Sequence, residues 1–294
     1  MFGPGTHGGR WWVLLALGAC SPPPAPHPDA AADAPLDAPV DAARDAPTRP
    51  DSPPPDAPPG PSQVLRLDGD GDGVELPRNA ELGPIGDRFT VELWFRPDSA
   101  DTFERAYLLT RRANLGDYTL GYSYGDDGRV RFEVRTDDAT SRTGLVELVS
   151  NTRPDVARWH HVAGVVEGRQ VRLYLDGKLE AAATAPSDVT WRPDDPRASL
   201  HPEYRLLIGH TRSPDDAGSR YFGRLLGELD DVRLSRSARY AGEVFEPPAI
   251  VASDSDTVGL WTFEEPGGPT AEDTGPSGAL DGTLVGAVRI AGGR

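Results

Sequence analysis

Residues 89–96 read Phe-Thr-Val-Glu-Leu-Trp-Phe-Arg. Apolar and polar side chains alternate. A strand through them puts Phe89, Val91, Leu93 and Phe95 on one face and Thr90, Glu92, Trp94 and Arg96 on the other. The same period of two runs through Val130-Arg-Phe-Glu-Val-Arg135 and Val171-Arg-Leu-Tyr-Leu-Asp176, the latter ending in the hairpin signal Asp176-Gly177. His160-His-Val-Ala-Gly-Val-Val166 is apolar on both faces at its far end, as a central strand is. Further strand candidates are 64–67, 73–76, 106–112, 117–124, 144–149, 178–184, 205–210, 222–234, 258–264 and 282–290, separated by Gly, Asp, Asn or Pro. No segment has a long helical period, and only 235–242 admits one short turn of helix. Residues 63–294 are therefore predicted to form one all-β domain, a sandwich of two antiparallel sheets. Its 232 residues suffice to bury a sizeable core.

Ahead of this domain the composition changes. Of the 42 residues 21–62, 15 are Pro, 10 Ala and 7 Asp, and Asp29, Asp33, Asp37, Asp41 and Asp45 recur every fourth residue. Pro35, Pro39 and Pro47 would break a helix of that period, so the stretch reads as an extended, disordered tether. Residues 11–19, Trp-Trp-Val-Leu-Leu-Ala-Leu-Gly-Ala, are too few to span a bilayer but fit the apolar centre of a signal peptide over 1–19. The sole Cys follows in Leu17-Gly18-Ala19-Cys20, which resembles the lipobox of bacterial lipoproteins. That resemblance implies a lipid on Cys20, residues 20–62 as a lipid-anchored linker, and export to the outer membrane or cell surface. An ordinary secretion signal with a chance Cys is the alternative. One Cys excludes intramolecular disulfides and Cys-rich zinc sites. A net charge of −16 argues against nucleic acid as a partner.

Within the domain, Leu65-Arg-Leu-Asp-Gly69, Gly73-Val-Glu-Leu-Pro77 and Phe89–Trp94 come first in order. Trp159-His-His-Val-Ala-Gly164, Val171–Gly177, Leu207-Ile-Gly209 and Phe222-Gly-Arg-Leu-Leu-Gly-Glu-Leu-Asp-Asp-Val-Arg233 follow. In this order they resemble a bacterial laminin-G-like domain of the concanavalin A-like lectin/glucanase superfamily. The resemblance implies a jelly roll and a non-catalytic module that binds polysaccharide, a surface glycoprotein or another surface macromolecule. The rivals are a glycoside hydrolase or lyase of the same fold and a structural envelope protein packed against a partner. The C-terminal stretch, Leu260-Trp-Thr-Phe-Glu-Glu265 to Asp281-Gly-Thr-Leu-Val-Gly286, resembles a unit that often precedes the opening strand in this family. It is expected to close the same sandwich instead of starting a second repeat.

Retaining glucanases of this fold carry Glu-x-Asp-x-Glu on one strand, placing nucleophile and acid on one sheet face. Here the nearest match is Glu228-Leu-Asp230-Asp-Val232, with Val232 at the third carboxylate position, so no catalytic residue is expected. Asp68-Gly-Asp70-Gly-Asp72-Gly73 opens like an EF-hand loop, but its twelfth position is Asn79 where a bidentate Glu is needed. Either it is a tight acidic turn, or Asp68 and Asp72 join Asp230 as ligands of a structural Ca²⁺. Strict alternation along Leu226–Leu234 would put Asp230 with Val232 and Leu234, where a carboxylate is costly unless paired or metal-bound, and Arg233 on the opposite face. Adjacent His160 and His161 point to opposite faces and cannot chelate one metal together. Trp94, Trp159 and Trp261 are read as core. Trp191, in a loop rich in Pro and charge, and Tyr204 and Tyr221 are candidates for an aromatic sugar platform, with packing onto the sandwich as the alternative.

Overall fold

The computed structural model describes residues 62–77, 87–100, 105–111, 118–123, 127–136, 144–189, 206–212, 221–222 and 225–293, and among them there is no helix. The strands are β1 (Gln63–Asp68), β2 (Gly73–Glu75), β3 (Arg88–Pro97), β4 (Ala106–Arg111), β5 (Tyr118–Tyr122) and β6 (Val130–Arg135). Next come β7 (Leu145–Val149), β8 (His160–Glu167), β9 (Gln170–Leu175), β10 (Lys178–Thr184), β11 (Leu206–Ile208) and β12 (Thr211–Arg212). The last are β13 (Tyr221–Phe222), β14 (Leu226–Ser235), β15 (Thr257–Trp261), β16 (Thr270–Ala271), β17 (Gly282–Val285) and β18 (Val288–Ala291). The first sheet runs β10-β9-β8-β3-β14-β1-β18, with β15 also on β14. The second runs β16-β17-β2-β11-β4-β5-β6-β7, and β12 and β13 pair as a separate ribbon. All the pairings are antiparallel, and the two sheets form a jelly-roll sandwich.

The alternation in residues 89–96 sets the centre of this arrangement. Phe89, Val91, Leu93 and Phe95 are essentially sealed from solvent in the core between the sheets. Aromatic pairs cross that core, with ring centroids 5.3 Å apart for Phe89–Tyr118 and 5.5 Å for Phe95–Tyr122. Phe132 of the second sheet lies directly over Gly164 of β8. A Cβ there would come within 2.5 Å of the ring, so only glycine lets the sheets meet at this point. The predicted hairpin forms at Asp176-Gly177, where φ of +50° and +74° matches a type I′ turn.

The C-terminal stretch is woven into both sheets. β15 pairs with β14, β17 with β2 and β18 with β1, so these strands close the sandwich as expected. Trp261 is fully buried and its indole N–H donates to Leu280 O at 3.0 Å. Asp273 organises the 273–281 turn by accepting from the amides of Leu260 (3.1 Å), Gly275 (2.8 Å) and Leu280 (3.3 Å). Three sequence expectations are corrected. The run 282–290 is two strands in different sheets, split where Gly286 takes φ +68°. The run 222–234 is likewise two strands. Residues 235–242 form no helical turn; Ser235 ends β14 and the chain crosses the first sheet as an irregular strap.

Candidate functional site

The outer face of the first sheet gathers most of the charged residues on which the sequence reading turned. In β14, Leu229 stands opposite Phe95 and Asp230 opposite Trp94, but Arg233 is next, opposite Glu92. Asp231 and Val232 together face Leu93, a β-bulge that reverses the alternation. Asp231 holds the bulge at φ +47°. Its amide donates to Asp230 Oδ1 at 2.9 Å, and its own Oδ2 accepts from Val251 N at 3.0 Å. Leu229, Val232 and Leu234 thus enter the core, while Glu228, Asp230 and Arg233 share the outer face. The expectation that Asp230 shares the apolar face, with Arg233 opposite, is overturned by this one extra residue. Val232 lies on the face opposite the carboxylates, so the third position of the glucanase-like spacing is inside the core.

Glu228 is held by guanidinium groups. Arg96, opposite it on β3, donates through Nε at 2.8 Å and through Nη2, and Arg66 of β1 lies 3.5 Å away. Arg66 also pairs with Asp98 at 2.5 Å, and that bond, ahead of the charge of Glu228, raises its pKa despite burial. Trp94 sits beside this band, half-buried, and its indole N–H donates to Pro248 O at 3.2 Å. It is therefore on the outer face and not in the main core, and Trp159 is likewise half-buried, just ahead of β8.

Asp68 and Asp72 come together, but not with Asp230. Gly69 and Gly71, at φ +84° and +86°, fold the turn so that Asp68 N donates to Asp72 Oδ2 at 3.0 Å and Asp70 N to Asp68 Oδ1 at 2.9 Å. The amide of Asp70 holds the Asp68 carboxyl below the ordinary carboxylate range, and burial pushes Asp72 above it. Asp68 faces Leu226, four residues from Asp230. At ~3.3 Å per residue that is roughly 13 Å along the strand. Among the described residues no three Asp, Glu, His or Cys side chains converge as a metal site. Asp68, Asp72 and Asp230 do not fit one Ca²⁺.

The feature that sequence reasoning missed lies under the strap, residues 236–256. Glu92 is fully buried on the outer face. It accepts from Arg233 Nε (2.8 Å) and Nη2 (2.6 Å), from the Tyr240 hydroxyl (2.5 Å) and from His161 Nε2 (3.1 Å). A carboxylate only accepts, so the His161 proton is on Nε2. Burial alone would push the Glu92 carboxyl up. The His161 hydrogen bond and the Arg233 charge, with Tyr240 adding, outweigh it and hold the carboxyl below its ordinary value. The visible signal was a Glu alone among apolar residues on β3 and an Arg on β14, but nothing local says that they meet. His161 packs there against Trp94, Tyr240 and Phe245, whereas His160 turns the other way, so the adjacent pair does face opposite sides. Its Nδ1 lies 2.7 Å from Asp176 Oδ2, bracing the hairpin turn.

Trp191 and Tyr204 lie outside the described residues, as do Cys20 and the tether. Tyr221 is on β13, opposite Arg212.

Residues 68–245, well over half of the chain, match a laminin-G-like family of the concanavalin A-like lectin/glucanases superfamily. The chain belongs to that family. A structure solved for a "putative carbohydrate binding protein" of Bacteroides ovatus is similar at a TM-score of 0.56 and 14% identity. The similarity covers 78% of this chain and 60% of that one, and it shows the shared fold. Pappalysin-1 of Mus musculus is 23% identical over 212 residues, 69% of this chain but 12% of the length of that curated relative.

Proposed function

We propose that this chain is a non-catalytic, extracytoplasmic binding protein whose laminin-G-like domain holds glycan or another surface macromolecule. The observation that carries the reading is the fate of the carboxylates at the glucanase-like spacing. Glu228 is clamped by Arg96 and Arg66, and Val232 is in the core. A retaining hydrolase needs two carboxyl groups facing one substrate, one free to donate a proton; here Glu228 is held by two guanidinium groups, and the third position of the spacing carries no carboxylate. Family membership and the description of the Bacteroides ovatus protein support glycan as the ligand class. The half-buried Trp94, flanked by arginine and carboxylate, suits a sugar ring, which stacks on an aromatic face and bonds to polar groups at its rim.

The test is a panel of polysaccharides incubated with the purified domain. Retention without cleavage is expected, and Trp94→Ala should weaken it. Depolymerisation would favour the hydrolase or lyase reading, and neither binding nor cleavage the structural one. Attachment to the outer membrane or cell surface through a lipid on Cys20 belongs to the same proposal, supported by the sole Cys after a nine-residue apolar run. Cys20→Ala should abolish partitioning into detergent, since stable anchoring takes two or more acyl chains. Recovery of the wild-type chain as soluble, unmodified material would overturn the anchor.

A further inference from the structure

The strap covers the outer face of the first sheet only in part. It meets β3 at Pro248 O, which accepts from the Trp94 indole, and β14 at Val251 N, which donates to Asp231. Between these two bonds it carries Ile250, 76% exposed. Beyond them Arg66, Arg96 and Asp98 keep part-exposed side chains. Directly opposite residues of antiparallel strands share a face. Val288 of β18 stands opposite Arg66 of β1, Arg66 opposite Glu228 of β14, and Glu228 opposite Arg96 of β3. These four form one row across four strands, about 14 Å wide at the usual strand spacing. Asp230 and Trp94, opposite each other, lie in the next row. The surface is apolar at Trp94, Ile250 and Val288 and charged between them.

Resting on the glycan reading above, we propose that this face takes a neutral polysaccharide and excludes an acidic one. The charges decide it. Arg96 donates to Glu228 through Nε and Nη2, and Arg66 pairs with Asp98 and lies 3.5 Å from Glu228. Two guanidinium groups thus face two carboxylates, and with Asp230 the five groups sum to one negative charge. An incoming carboxylate or sulfate meets cations that are already neutralised. Taking a guanidinium from Glu228 would strip that buried carboxylate of its counter-charge. The wider field acts in the same sense, since residues 63–294 hold 27 Lys and Arg against 39 Asp and Glu, a net of −12.

A hydroxyl brings no net charge. It donates to a carboxylate oxygen and accepts from a guanidinium N–H, and a guanidinium has more such donors than these ion pairs use. The ion pairs hold both arginines in place before a ligand arrives, so less side-chain entropy is lost on binding. Trp94 and Ile250 supply apolar surface for the C–H face of a sugar ring.

The test compares polymers of one backbone that differ in charge. β-Glucan, xylan, mannan and galactan, each as the neutral polymer and after partial carboxymethylation, are cast in affinity gels, and retardation of the full chain in non-ionic detergent is measured. At least one neutral polymer should retard it. The carboxymethylated form should do so about tenfold more weakly, because like charges then meet across the interface. Salt should narrow that gap by screening. Asp98→Asn leaves Arg66 with charge to spare and should narrow the gap too. Glu147→Gln, which removes the same charge from β7 in the second sheet, should not. A carboxymethylated polymer that binds as well as its neutral parent, or Asp98→Asn and Glu147→Gln acting alike, would overturn this inference and leave the glycan reading standing. Retardation by no polymer of either kind would overturn the glycan reading beneath it, and this inference with it.

Discussion

Where the strap crosses it, strand β3 buries side chains on both of its faces, by different chemistry. Toward the second sheet, β3 presents Phe89, Val91, Leu93 and Phe95 to an apolar core closed by Phe132, Tyr118 and Tyr122. Toward the strap, the same strand presents Thr90, Glu92 and Trp94, and each is bonded to a named partner on the strap or on β14. One face is held by area and shape, the other by polar groups satisfied one at a time. Non-directional burial tolerates repacking, whereas a buried polar network fails when a single member is lost. The two layers should respond differently to the same kind of substitution.

The largest loss is expected in the core. Phe132→Ala should destabilise by about 3–5 kcal/mol, as phenylalanine truncations in cores do, measured by chemical denaturation. Gly164→Val should be destabilising as well, by about 1–3 kcal/mol, because its side chain competes with the same ring. The strap layer should break by a different rule. Arg233→Met alone leaves Glu92 buried without its cation and should cost about 3 kcal/mol, but Glu92→Leu with Arg233→Met should restore most of it. Additive losses in the double variant would mean that the two residues do not act as a pair.

Smaller effects probe the junctions between the layers. Gly177→Ala puts a Cβ 2.0 Å from Phe245 O at φ +74° and should cost on the order of 1 kcal/mol or more, loosening strap amides first in exchange. Arg96→Ala acts on a part-exposed pair and should cost no more than about 1 kcal/mol, so an effect as large as that of Arg233→Met would erase the contrast between exposed and buried ion pairs. Adding millimolar Ca²⁺ to chelator-treated domain should leave the melting temperature within about 2 °C. A rise of roughly 5–10 °C, lost in Asp72→Asn, would show that the acidic turn holds an ion after all.

The period of two in residues 89–96 and 130–135, the apolar run 160–166 and the Asp176-Gly177 turn were enough to place the central strands, because side-chain alternation is a local property of the chain. The laminin-G-like order of motifs was equally legible, since it needs only sequence spacing. The candidate site was not. Reading β14 with strict alternation put Asp230 on the wrong face, because a bulge costs one residue and leaves no local mark. Here it is stabilised by Val251, twenty residues on, bonding to Asp231. Glu92 and Arg233 are separated by 141 residues and look like two solvated charges until β3 and β14 lie side by side. The sequence by itself determined which residues become strands and which face of β3 is apolar. Only the tertiary structure decided that the opposite face would be buried too, under an irregular strap without periodicity, because its contacts depend on which residues the folded sheet brings within hydrogen-bonding distance.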